Sequence, residues 1–444
     1  LLWIKFKYRI ITNMRIHILG VCGTFMAGLS QILKESGHDV SGSDVQFYPP
    51  MSDYLTNINI KTIQGYEAKL LPKADLYVIG NALSRGNESV EHILSKNLPY
   101  VSGPEILGRE LKDRNVYAVS GTHGKTSTAY MLTHILDDNG KDVGYLVGGI
   151  SENFKNPARL GKHKSFVIEA DEYDSAFFDK RSKFIHYYPN NLIINNIEFD
   201  HADIFDNLDD IKKQFHHLIK VIPNKGNIIY SKDDQNVCEV LSKGYFCNLI
   251  QVNGENIKID LSSKKLVVDN ETYVLQDLPL IGEHNFRNYV AAILAAQTEG
   301  ISINKSIESL KSFLGVKRRM EKVIEHSGIR VYDDFAHHPT AIKLSTKAVR
   351  DENPNKKILG IVELGSNTMS SGYHKDNLFN SLNYVDRAII LDRQKVYQAD
   401  DIFNSTEDLL FELRKIAKDY DIILIMTNKD SQKFITPLKD HFEN

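Results

Sequence analysis

Cysteine is nearly missing from this chain: only Cys22, Cys238 and Cys247 occur in 444 residues, at irregular spacing. They indicate neither a disulfide framework nor a zinc site, and a reducing cytoplasm fits. Net charge is equally scarce. The formal value of −3 argues against nucleic acid or another polyanion as the main partner. No apolar run approaches the length needed to span a membrane. Internal repeats, low-complexity tracts and long linkers are absent too. The opening LLWIKFKYRIITN is apolar and basic but lacks a small-residue cleavage site, so it is not read as a signal peptide. The fold is expected to begin at Met14.

What the chain does have is chemistry placed at the ends of apolar runs. Residues 116–140 read VYAVSGTHGKTSTAYMLTHILDDNG. VYAVS has the character of a strand. Met131, Leu132, Ile135 and Leu136 recur at helical spacing, and Gly140 is a plausible stop. Between strand and helix, Gly121 and Gly124 let the backbone bend with its N–H groups inward, at a helix N-terminus that favours an anion. Lys125 can reach terminal phosphates and the Thr126 hydroxyl can ligate Mg²⁺. Position 119 is valine, so this is the short GxxGKT form of a phosphate loop. Lys125 is expected at an exposed loop–helix junction.

Three α/β blocks follow from the alternation of strand and helix patterns. Residues 14–113 carry RIHILG, a helix to Ser36, HDVSGSD, DLYVIG and NLPYVSG. Residues 114–315 begin with the phosphate loop and continue through SFVIEA and NLIINN. Short strands with turns at Asn253-Gly254 and Asp269-Asn270 and a helix near residues 291–296 complete the block. From 316, IRVYDD, KKILGIVE, DRAIILD and DIILIMT alternate with helical runs. Ligands are expected in clefts between the blocks.

Further polar clusters sit where such clefts form, at the carboxyl ends of strands. In the first block Gly20, Gly23 and Gly28 open a helix, with Asp44 closing the second strand. That pattern suits a diphosphate without specifying NAD. SFVIEADEYD ends in Glu169, Asp171, Glu172 and Asp174, hard oxygens suited to Mg²⁺ beside nucleotide phosphates. NLIINNIEFDHADIF ends in Glu198, Asp200, His201 and Asp203. Asn285 and Asn288 lie three apart on a helix's first turn, where amides can read a base edge. Arg318 and Arg319 could stabilise charge on a transferring phosphate. His337 and His338, close to Asp333 and Asp334, could assist proton transfer.

Taken in order, GTHGKTST, EADEYD, NNIEFDH, GEHNFRN, RRM and DDFAHHPT resemble the Mur ligase family of peptidoglycan enzymes, over nearly the whole chain from Met14. The resemblance implies an α/β protein of three domains. These are an N-terminal Rossmann-like domain binding a UDP-sugar (1–113), a central P-loop-type ATPase domain with small β elements (114–315) and a C-terminal Rossmann-like, acceptor-binding domain (316–444). It implies ATP and Mg²⁺, and ligation through an acyl phosphate that needs no protein nucleophile. GVCGTFMAGL, GSDVQFYPPMS and GNALSRGN are similar to the branch acting on UDP-N-acetylmuramate. The stretch from Glu169 to Phe205 is similar to members that add the recycled tripeptide L-alanyl-γ-D-glutamyl-meso-diaminopimelate. A ligase for L-alanine, a non-catalytic nucleotide-binding relative and a nicotinamide oxidoreductase are the alternatives. Expected partners are small-molecule substrates, with no nucleic acid and no membrane; a cytoplasmic monomer is expected.

Carried over by position, Gly121, Thr122, His123, Gly124, Lys125, Thr126 and Ser127 would cradle ATP. Thr126 with Glu169 would hold one Mg²⁺, and His201 would help hold a second. Asn285 and Asn288 would contact the nucleotide, and Arg319 and Asp334 would close on ATP. Gly20, Gly23 and Asp44 would meet the uridine diphosphate. Three departures stand out. His216 occupies the neighbourhood where some members carry a carbamylated lysine, so no such modification is expected. Leu364-Gly365 replaces an arginine and proline. The loop 426–433, MTNKDSQK, replaces a glycine-rich one. With that arginine gone, the acceptor's carboxylates would fall to Lys429 or Lys433, with His337 and His338 nearby.

Overall fold

The computed structural model describes residues 13–202 and 204–443. The opening segment up to residue 12 and Asp203 lie outside the described residues.

Three sheets organise the chain. The first has five parallel strands in the order Lys61–Gln64, Asp39–Asp44, Arg15–Leu19, Leu76–Ile79, Tyr100–Ser102. The second has seven, in the order Asn248–Val252, Asn227–Ser231, Asn191–Ile194, Asn115–Ser120, Ser165–Glu169, Gly144–Leu146, Ala158–Arg159. All its pairs are parallel except the last. The third has six, in the order Glu321–His326, Ile329–Asp334, Ile422–Met426, Ile358–Glu363, Arg387–Leu391, Ile402–Phe403, and only its first pair is antiparallel. Central strands such as Ile422–Met426 are buried at every residue. Parallel sheets covered on both faces demand such unbroken apolar runs.

Several short or edge strands carry no such run, and the sequence reading omits them, two among them at the outer edges of sheets. Lys61–Gln64 and Glu321–His326 lie at sheet edges and have no buried residue, and charge there protects against stray pairing. The expected turn at Asp269-Asn270 joins two antiparallel strands, with positive φ at both residues, as a tight hairpin requires. The one at Asn253-Gly254 differs. Only Asn253 has positive φ, and the preceding strand belongs to the large parallel sheet. Among the described residues no helix is long and apolar enough to cross a membrane.

The first two sheets are joined closely. Gly28, in helix Thr24–Glu35, faces Ala158 and Leu146, so a Cβ there would lie 3.1 Å from the Ala158 side chain. The third glycine of the expected diphosphate pattern therefore serves domain packing. At Gly108 a Cβ would fall 1.9 Å from the His186 carbonyl oxygen. The third sheet meets the second through polar contacts: Thr368 donates to Asp200 (2.9 Å), and the Ala202 N–H donates to Thr368 (3.2 Å).

Candidate active site

The phosphate loop forms as expected. Strand Asn115–Ser120 ends, Gly121 and Gly124 take positive φ, and helix Lys125–Asp138 begins at Lys125. Neither glycine has room for a side chain. A Cβ at Gly121 would lie 3.0 Å from Asn196 backbone atoms, and one at Gly124 would lie 2.6 Å from Asn288 Oδ1. The adjacent strand end clamps the loop. Thr122 N–H donates to Asn196 O (3.1 Å), His123 N–H donates to Asn196 Oδ1 (2.8 Å), and the Asn195 and Asn196 amides both donate to His123 O (3.2 Å). Gly124 offers no side-chain cap, which leaves the first-turn N–H groups of the helix for an anion.

Lys125 is not at an exposed junction. Its side chain is 11% exposed, with Nζ 3.4 Å from Asp171 and 3.5 Å from Glu172 while donating to Gly121 O at 2.8 Å. The rest of EADEYD folds over it and excludes solvent. Burial works against its charge, but Glu172, Asp171 and Glu169 outweigh burial and raise its pKa. Burial likewise opposes the charge on Glu172, but Lys125 and His201 hold that carboxyl at about 2.

Thr126 and Glu169 come together as the resemblance implied: Thr126 Oγ1 donates to Glu169 Oε1 (2.8 Å), and the Gly148 N–H donates to Oε2 (2.8 Å). Burial first, and Asp171 second, raise the Glu169 carboxyl, so negative charge is in excess where a hard cation would bind. These oxygens fit Mg²⁺. His201 stands apart from that pair. Its Nε2 is 3.1 Å from Glu172 and its Nδ1 is 2.6 Å from the Tyr173 hydroxyl.

A cavity of about 560 Å³ connects these groups to both neighbouring elements of the third sheet. Arg319 and Asp334 line it with Lys125, Thr126, Glu169 and His201. The Arg319 guanidinium lies 4.8 Å over the Phe335 ring. Asp334 accepts N–H donors from Met320 and Ala336, and burial raises its pKa to about 6. Arg318 turns away, donating to the Thr427 and Lys429 carbonyls. Asn285 and Asn288 line the cavity but are buried: Asn285 donates to Ile281 O (2.8 Å), and Asn288 packs on Gly124. Asn288 thus supports the phosphate loop rather than presenting an open base-reading edge.

The remaining candidates are spread further. In the first domain Gly20 has positive φ, and Gly23 precedes the helix. Asp44 accepts the N–H groups of Cys22 (2.9 Å) and Val45 (2.8 Å), so it shapes its own loop. His337 Nε2 lies 3.8 Å from Asp200, and His338 Nδ1 lies 3.4 Å from Glu198. Both histidines face the central domain. Lys433 is bound to Glu363 (2.5 and 2.6 Å). Lys429 lies across Gly365: a Cβ at 365 would be 2.8 Å from Lys429 Cγ.

The family model described as Mur ligase family, catalytic domain, matches residues 15–115; Mur ligase middle domain matches 119–296; and Mur ligase, glutamate ligase domain, matches 318–429. The chain is 44% identical over 435 residues to the UDP-N-acetylmuramate–L-alanyl-γ-D-glutamyl-meso-2,6-diaminoheptandioate ligase of Escherichia coli K12, covering 94% of this chain and 95% of the relative. The chain belongs to the Mur ligase family. This Mur ligase is also 33% identical over 389 residues to the UDP-N-acetylmuramate–L-alanine ligase of Clostridium acetobutylicum, covering 85% of this chain and 82% of the relative. The crystal structure of a murein peptide ligase from Psychrobacter arcticus superimposes with a TM-score of 0.75 at 35% identity, covering 96% and 99% of the two chains.

Several residues of this Mur ligase site were not legible in advance. Tyr173, Asn195, Asn196, Gly148 and Thr368 act through partners distant in sequence. The doubled asparagine at the end of NLIINN, a polar pair closing an apolar strand, is the one local signal that could have exposed the clamp.

Proposed function

We propose that this Mur ligase joins UDP-N-acetylmuramate to the α-amine of L-alanyl-γ-D-glutamyl-meso-diaminopimelate, converting ATP to ADP and phosphate, in peptidoglycan recycling. One observation carries the reading of the acceptor: 44% identity over 94% of the chain with a ligase named for that tripeptide, against 33% over 85% with one named for L-alanine.

The reaction divides into two displacements. A muramate carboxylate oxygen attacks the γ-phosphorus and ADP leaves, giving an acyl phosphate. The acceptor amine then attacks the acyl carbon. The tetrahedral intermediate expels phosphate, and the ammonium proton passes to solvent or to the departing phosphate. Lys125 and Arg319 balance charge on the transferring phosphoryl group, and the first-turn N–H groups orient it. Asp334, held by two backbone N–H groups, fixes the Met320–Ala336 corner that carries Arg319. Thr126 and Glu169 would hold Mg²⁺, which neutralises phosphate charge when bound; the Glu172-bound His201 borders that site. Glycines 20 and 23 of the 1–113 domain would approach the uridine diphosphate. Of the two candidate lysines in the 316–444 domain, Lys429 is the acceptor-side cation, because Lys433 is committed to Glu363. Both cosubstrates are nucleotides of the cytoplasm, the compartment we assign.

ADP release from ATP, Mg²⁺ and UDP-N-acetylmuramate tests the reading, with tripeptide and L-alanine as rival acceptors. The tripeptide is expected to support turnover and L-alanine to be poor. Equal or better turnover with L-alanine would transfer the reading to the second ligase class; no release with any acceptor would leave a nucleotide-binding relative.

A further inference from the structure

The interface between the central and C-terminal domains gathers more metal-ligating atoms than the ligation chemistry uses. His123 Nε2 is 3.2 Å from Glu198 Oε2, and His338 Nδ1 is 3.4 Å from the same oxygen. Among the described residues these three offer ligand atoms that all lie within 4.8 Å of one another. His338 Nε2 lies 3.3 Å from the Phe199 carbonyl oxygen, which can only accept. Nε2 therefore carries the proton, and Nδ1 turns its lone pair toward a carboxylate. A lone pair facing an anion is unfavourable unless something positive lies between. Among the described residues the only hydrogen bond donated to Nδ1 comes from the Thr340 N–H at a long 3.3 Å, and it does not separate the pair.

We propose that His123, Glu198 and His338 form a zinc site that staples the C-terminal domain to the phosphate loop. Two imidazoles and a carboxylate are a donor set zinc takes, with a fourth position open to water. Bonds of about 2.0–2.1 Å place neighbouring ligand atoms of a tetrahedron roughly 3.3–3.4 Å apart, matching the two distances here. The supporting contacts are those of a metal-bound histidine: the far ring nitrogen of His338 donates to a backbone carbonyl, as such ligands do. His374, 7% exposed, packs its ring 4.4 Å from that of His338, and its Nε2 has no hydrogen-bond partner among the described residues. Hard Mg²⁺ prefers the oxygens at Thr126 and Glu169, so the two sites separate by donor chemistry. Zinc bound here holds the domains closed and slows product release, a consequence that rests on the ligase reading; the binding itself does not.

The full, tag-free chain in millimolar Mg²⁺ is titrated with Zn²⁺ against a chromogenic chelator, and with Co²⁺ followed by visible absorption. Expected are one Zn²⁺ per chain and the intense bands of four-coordinate Co²⁺. Both are lost in His338→Asn, which keeps a capping oxygen for helix Pro339–Glu352, and in the near-isosteric Glu198→Gln. Both persist in Glu169→Gln. Zinc is expected to slow ADP release several-fold in the wild type alone. Absence of stoichiometric binding by the wild type, undiminished binding by both His338→Asn and Glu198→Gln, or loss in Glu169→Gln would overturn the site.

Discussion

The cavity and the 428–433 segment at its border are built differently. In the cavity, charged side chains are held by partners from separate elements: Lys125 by Asp171 and Glu172, Glu169 by Thr126 and Gly148, Glu198 by His123. In the 428–433 segment, proposed to meet the acceptor, one lysine lies in the loop and the other, Lys433, in the first turn of helix Gln432–Glu443. Lys433 is spent on Glu363, while Lys429 lies over Gly365 with no ion pair among the described residues. The first is over-determined and, on the proposed reaction, would perform the phosphoryl chemistry. The second keeps one adjustable charge, which suits a surface that selects among acceptors.

The largest blow to this contrast is Lys125→Ala. Ligation is expected to fall about 10²–10³-fold. Stability falls as well, by about 1–3 kcal/mol, because Glu172 loses a cation inside the protein. Steady-state kinetics beside thermal denaturation measure both; turnover within tenfold of wild type removes Lys125 from the phosphate. Glu169→Gln comes next. The amide keeps the contact with Thr126 but not the charge, so the Mg²⁺ concentration for half-maximal rate should rise roughly tenfold or more. An unchanged metal titration would shift the site toward Asp171.

The pH dependence of stability gives a smaller effect. Burial, followed by Arg319, lowers the pKa of His284 to about 4. An unfolded chain protonates this ring near 6.5, so its contribution is complete above that pH and is lost as the pH falls toward 4. His284→Gln should flatten that acid-side decline by about 1–2 kcal/mol, read by denaturant unfolding at neutral pH and near pH 5; identical slopes would contradict the burial.

Smallest and most selective is the pair of lysines. Lys429→Ala is expected to raise KM for the tripeptide about three- to tenfold, leaving KM for ATP and UDP-N-acetylmuramate alone, as for a partly exposed charge contact. Lys433→Ala should instead lower stability, since Glu363 is buried beneath it. Equal KM shifts from both variants would erase the distinction between a free and a committed cation.

The parts legible from sequence are those where chemistry and local backbone coincide. Gly121, Gly124 and Lys125 declare themselves because a strand, a turn and a helix start are all local. Thr126 follows from the same loop pattern, and Glu169 from a strand end in an α/β sheet. The burial of Lys125 was hidden because its cover comes from a different strand. Asn288 looked like a base reader because nothing in its own helix shows that Gly124 lies against it. Lys433 looked available because Glu363 follows another strand of the same sheet. Edge strands such as Lys61–Gln64 escaped for an opposite reason: being exposed, they carry no apolar signature.

Gly28 and Gly108 leave zero clearance between the first domain and the second. The first domain is thus seated like a machined part, with no gasket to absorb error. A methyl at Gly108 would be a shim. It would force the His186 carbonyl away at the contact, and the tilt would grow along the lever arm toward the far ends of the first sheet. The fault would register as a misaimed carboxylate, a loss of rate in a protein still folded and still loaded with ATP.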